Sequence, residues 1–143
     1  MKKRNIYQNQ TQELLFLFEN AGSNDKVMCV PMDYAKNDHL VMFCNGHGDI
    51  LRKPFSVKNT PEGIAYIDDQ VMRSCRRRGI KKEHVFFGGE DANSFAKNFV
   101  NTLRNKGYLV ANVNAHDAKK QRVSVQASTD RIDLMGIATM LLN

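Results

Sequence analysis

Asp33, Glu90, Asp130 and Asp133 are the side chains of this chain whose type and placement fit a common chemistry. Asp33 closes the apolar run Val27-Met28-Cys29-Val30-Pro31-Met32, and Glu90 closes Val85-Phe86-Phe87-Gly88-Gly89. Asp130 and Asp133 stand three apart in Ser128-Thr129-Asp130-Arg131-Ile132-Asp133, where a helix is expected to begin, so one helix face would present both. Acids at the ends of parallel strands project from the carboxyl edge of a sheet, where α/β proteins place their sites. Gathered carboxylates repel one another unless protons or cations neutralise them. Hard oxygen ligands suit Mg²⁺ or Mn²⁺, which keep waters and accept phosphate oxygens. A cation pair held there would serve in-line phosphodiester chemistry. Each acid also has a plainer reading. Asp130 and Asp133 fit a helix cap and first turn, Asp33 a turn acid with Asp38 as a close rival, and Glu90 the start of a helix capped by Asp91 or Asn93.

These acids need elements to hold them. Residues 1–9 read as polar and loose, followed by a short helix capped by Thr11 and running to Asn20, with Gly22 stopping it. Its run Leu14-Leu15-Phe16-Leu17-Phe18 exceeds one helical face and should pack on the domain or a partner. Strands follow over 27–32, 39–44 and 50–57, the last two joined by Asn45-Gly46-His47-Gly48, which makes an antiparallel meander. Thr60 then caps a helix with Pro61 at its first position, Ile64, Ile67, Val71 and Cys75 on its inner face and Gly79 at its end. A strand over 85–87, a helix with Phe95, Phe99 and Leu103 on one face, and a strand over 108–113 come next. Residues 114–127 read as a basic loop, and 130–142 as a last helix in which the chain stops, which suggests a piece of something longer. The predicted architecture is α/β: a mixed five-stranded sheet, a three-strand antiparallel meander followed by β-α-β units, with helices on both faces. That order is the ribonuclease H-like, or RuvC-like, arrangement. Residues 1–25 form an N-terminal extension and 26–143 the domain.

Composition narrows the partners. The 143 residues carry 21 Lys and Arg against 15 Asp and Glu, a formal charge of +6 and a pI near 9.3, which favours a polyanion. The basic clusters fall at Lys2-Lys3-Arg4, Arg76-Arg77-Arg78, Lys81-Lys82 and Lys119-Lys120 with Arg122. Any one of them is also an ordinary solvated surface. Tyr34 and Tyr108 are aromatic rings for base stacking or, more simply, for packing. Three widely spaced cysteines indicate neither a disulfide framework nor a zinc site, in keeping with a reducing cytoplasm. His39, His47, His84 and His116 show no ligand spacing and read as surface or packing residues. No apolar stretch approaches the roughly 20 residues that a membrane span requires.

The segments Met32-Asp33-Tyr34-Ala35-Lys36, Asn59-Thr60-Pro61-Glu62-Gly63, Gly89-Glu90, Asn112-Val113-Asn114 and, most specifically, Thr129-Asp130-Arg131-Ile132-Asp133 resemble the DEDD transposases of bacterial insertion sequences. That group is related to the Piv invertase, and its acidic domain is similar to the RuvC resolvase. The resemblance covers about residues 26–143. It implies that Asp33, Glu90, Asp130 and Asp133 bind Mg²⁺ or Mn²⁺ and act in DNA strand cleavage and transfer. It also implies a second domain bearing a nucleophilic serine, a homo-oligomer in the full-length protein, a nucleoid-associated location and DNA as partner, with a structured guide RNA as a further one. Arg76, Arg77, Arg78, Lys119, Lys120, Arg122 and Arg131 are the candidates for nucleic-acid backbone contacts. In place of the family's usual Thr-Gly after the glutamate stands Asp91-Ala92-Asn93, and Ser128 stands where a lysine usually precedes Thr-Asp. The alternative is a non-catalytic nucleic-acid-binding or assembly domain of the same fold. An actin-like ATPase shares the meander, but Asp33-Tyr34-Ala35-Lys36-Asn37-Asp38 lacks the glycine and hydroxyl residues that would hold phosphates.

Overall fold

A computed structural model describes residues 6–90, 94–112, 136–139 and 141–142, with side chains from residue 12 onward. Strands β1 (Met28–Asp33), β2 (Asp38–Asn45), β3 (Ile50–Lys58), β4 (Val85–Glu90) and β5 (Leu109–Asn112) form one mixed sheet in the order β3-β2-β1-β4-β5. The meander β1-β2-β3 is antiparallel, whereas β4 and β5 run parallel to β1. The β2–β3 turn is built by Asn45, whose Oδ1 accepts the backbone N–H groups of His47 and Asp49 at 2.9 and 3.0 Å.

Between β3 and β4 lies α2 (Pro61–Arg78). Thr60 Oγ1 accepts the Gly63 N–H at 3.1 Å, Pro61 opens the helix and Gly79 closes it in the left-handed conformation at φ 67°. A side chain at residue 63 could not fit, because its Cβ would fall 1.8 Å from the Lys58 carbonyl oxygen. The shorter α3 (Lys97–Asn105) links β4 to β5. Helix α1 (Ile6–Ala21) is longer than the sequence reading placed it, so Thr11 lies inside it and not at its cap.

The sheet separates two apolar layers. On one face Met28, Val30, Met32, Val41, Phe43, Phe87 and Val110 pack against Ile64, Ile67 and Val71 of α2 and Phe99 and Leu103 of α3. On the other, Cys29, Met42, Cys44, Phe86 and Ala111 are covered by Leu17 of α1 and by Ile137, Ala138 and Leu141 of the C-terminal helical segment. Helices thus lie on both faces, as the element order predicts. Phe95 does not join Phe99 and Leu103: it precedes α3 and is 45% exposed. The expected loop over 114–127 and the start of the last helix lie outside the described residues.

A candidate metal centre at the carboxyl edge

Asp33 is the last residue of β1 and Glu90 the last of β4, and the parallel register pairs them directly. Adjacent strands stand about 4.8 Å apart, and residues in register point to the same face. Side chains alternate along a strand, so Asp33 shares the face of Cys29, and Glu90 that of Phe86 and Gly88. This is the face covered by the C-terminal segment. Leu141 sits so close over Gly88 that a Cβ there would meet its Cδ2 at 2.5 Å. Both acids are half-buried. Oε2 of Glu90 is buried and accepts no hydrogen bond from the described residues.

A buried carboxylate oxygen without a donor is costly, since it has lost water without replacement. Its chemistry fits a hard cation, and Asp33 beside it would supply a second oxygen ligand. Among the described residues no group of three or more His, Cys, Asp or Glu side chains gathers at ligating distance. Asp130 and Asp133 lie outside the described residues, as do Lys119, Lys120, Arg122 and Arg131. The simpler reading of Glu90 loses ground here. Glu90 ends a strand and does not start α3, whose N-cap position is Ala96. Asp38 begins β2 opposite Lys58 of β3 and is exposed, away from Glu90.

The basic cluster lies elsewhere. Arg76, Arg77 and Arg78 are exposed in the last turn of α2, where the helix dipole favours cations. Arg78 donates to the Leu51 carbonyl at 3.3 Å, and its own carbonyl accepts from Nζ of Lys26, which precedes β1, at 3.1 Å. The cluster is therefore at the amino end of β1, a strand length from Asp33, roughly 17 Å at 3.3 Å per residue. Tyr108 is a packing residue: it is buried, and its hydroxyl donates to Oδ1 of Asp68.

Sequence reasoning missed the support beneath the acids. His39 is fully buried in β2, and its Nδ1 accepts the N–H of Ala35 at 3.1 Å. The signal was present in the alternation His39, Val41, Phe43, which puts the histidine on the core face. The need for glycine at residue 89 was also missed: a Cβ there would fall 2.1 Å from the Met32 carbonyl oxygen and 2.8 Å from the Tyr34 ring.

A mixed sheet in this order with helices on both faces and an acid closing each of two adjacent parallel strands belongs to the ribonuclease H-like class. A family model described as transposase, of the IS110-type DEDD group, matches residues 30–143. The chain belongs to the IS110-type DEDD transposases. No curated protein matches it. No helix among the described residues is long and apolar enough to cross a membrane.

Proposed function

We propose that this chain is the acidic catalytic domain of its transposase, with Asp33, Glu90, Asp130 and Asp133 holding Mg²⁺ or Mn²⁺ for DNA strand cleavage and transfer. The observation that carries the reading is the in-register pair Asp33 and Glu90, with Oε2 of Glu90 buried and without a donor among the described residues. The C-terminal segment rests on the same face of the sheet, which supports delivery of the two aspartates that precede it. A divalent cation bound there would neutralise charge developing on a phosphodiester. The carboxylates supply ligands, and the parallel strands hold two of them at fixed spacing. Residues 1–25, in this reading, are an extension to a domain spanning 26–143.

DNA is the partner that the family implies, and a structured RNA is proposed as a second. Arg76, Arg77 and Arg78 would contact backbone phosphates away from the acids, and Lys119, Lys120, Arg122 and Arg131 would do so from the later segment. The exposed arginine triplet also favours a second reading, a nucleic-acid-binding or assembly domain without catalysis.

The two readings separate in a Mn²⁺ and Mg²⁺ titration followed by thermal unfolding and calorimetry, with Asp33→Asn and Asp130→Asn alongside. A cation that binds only the folded chain raises its stability as concentration passes the dissociation constant. Stabilisation of the wild type and of neither variant is the expected result. Equal responses in all three chains would sink the shared site and leave the binding-module reading in front.

A further inference from the structure

The two acids point to one face of the sheet, and their immediate neighbours meet on the other. Tyr34, next to Asp33, lies over Gly89, next to Glu90, so closely that a Cβ on Gly89 would stand 2.8 Å from the ring. Edge-on against the Tyr34 ring is His39, with centroids 5.4 Å apart and planes at 88°. Beyond it Phe99 of α3 packs on the imidazole at 4.7 Å and 76°. The imidazole is thus fixed between two rings, and its Nδ1 accepts the Ala35 N–H at 3.1 Å. An accepting Nδ1 places the ring proton of a neutral histidine on Nε2. The residue after Tyr34 is held by a side chain anchored in the core, and that contact sets the path of the chain as it leaves Asp33.

We propose that His39 is a positioning residue for the carboxylate pair. Through the Ala35 N–H and the Tyr34 ring it fixes how the backbone leaves β1, and so the angle at which the Asp33 carboxylate stands beside Glu90. It touches neither substrate nor cation. The proposal rests on the metal-binding reading above, and it makes a claim about this chain that the acids alone do not: the ligand geometry is set from the opposite face of the sheet. Groups hydrogen-bonded directly to metal ligands typically change metal affinity by 10- to 100-fold when removed, and His39, acting through the backbone, is expected at the lower end of that range.

The test uses His39→Leu, which keeps apolar volume but removes the acceptor, and His39→Asn, whose Oδ1 takes the place of Nδ1. Mn²⁺ affinity is measured by calorimetry on the whole chain, and hydrogen exchange of the Ala35 amide is measured without metal. In the wild type the Ala35 amide should be protected. His39→Leu should lose that protection and weaken Mn²⁺ binding by about tenfold, while His39→Asn should restore both to within about threefold. Equal Mn²⁺ affinity in folded His39→Leu and wild type would overturn the proposal, as would failure of His39→Asn to rescue. An Ala35 amide that exchanges freely in the wild type would overturn it without any variant. A wild type that binds no Mn²⁺ removes the metal reading and this proposal with it, and the amide measurement then reports separately whether the His39 contact exists.

Discussion

Two carboxylates of this domain sit at the edge of its core and are treated in opposite ways. Asp68, on α2, has its oxygens engaged: Oδ1 accepts the Tyr108 hydroxyl and Oδ2 lies 3.7 Å from Nζ of Lys106. Glu90, at the end of β4, keeps Oε2 buried with no donor among the described residues. The first pins α2 to the start of β5 and is complete within the fold. The second finds no completing donor among the described residues, and in the proposed reading a cation would supply what is missing. Substitutions should therefore act on the two in opposite senses, on stability at Asp68 and on cation response at Glu90.

The largest expected effect falls on the backbone that sets the acids side by side. Gly89→Ala drives a Cβ into the Met32 carbonyl, and strand pairing leaves that oxygen no room to retreat. A loss of about 3 kcal/mol is expected from overpacking of this kind, read from urea unfolding. A variant as stable as the wild type would show that β1 and β4 tolerate respacing, and the argument from register would weaken.

Asp68→Ala comes next. It leaves the buried Tyr108 hydroxyl without its acceptor, at a cost of about 2 kcal/mol, since a bond to a charged partner is lost and the donor stays desolvated. Its Mn²⁺ response should match the wild type. A lost response would place Asp68 in the site and erase the contrast.

Alkaline pH acts on the same structural region. Burial pushes the Cys75 thiol from its ordinary value near 9.0 up to about 11. Burial also raises Tyr108, with the hydrogen bond to Asp68 and that carboxylate's charge adding to it. Both groups stay protonated in the folded chain over a range where the unfolded chain releases their protons. The folded state then binds more protons, so stability falls as pH rises. It should be level below pH 9 and decline between about 9 and 11, measured by urea unfolding at stepped pH. Cys75→Ala should flatten part of the decline, and an unchanged profile in that variant would assign the sensitivity to Tyr108 and to the Cys29 thiol, which burial also raises.

Much of the frame was legible because it follows from local rules. Thr60-Pro61 and Gly79 bracket α2 as capping chemistry demands, and Asn45-Gly46-His47-Gly48 turns β2 into β3. The family segment around Asp33 and the Gly89-Glu90 pair both pointed to strand ends, and the parallel register bears that placement out. What stayed hidden depends on contacts between distant segments. The burial of His39 between Tyr34 and Phe99 is settled by packing between β2, the segment after β1 and α3. No periodicity within one segment encodes those partners. Nor did charge counting reveal that Arg76, Arg77 and Arg78 stand at the opposite end of β1 from Asp33, because that follows from where α2 runs.

The smallest predicted effect discriminates most sharply. In metal-free buffer Glu90→Gln removes a charge beside Asp33, relieving repulsion, and offers an amide of the same shape to the same pocket. Among the described residues the lost charge has no hydrogen bond at Oε2 to forfeit. The two contributions nearly offset, and stability should stay within about 0.5 kcal/mol of the wild type or rise slightly, as read from metal-free thermal unfolding. Added Mn²⁺ should then stabilise the wild type and leave Glu90→Gln where it was. If Glu90→Gln instead costs as much as Asp68→Ala without metal, then Glu90 has a structural partner, and the two carboxylates are alike after all.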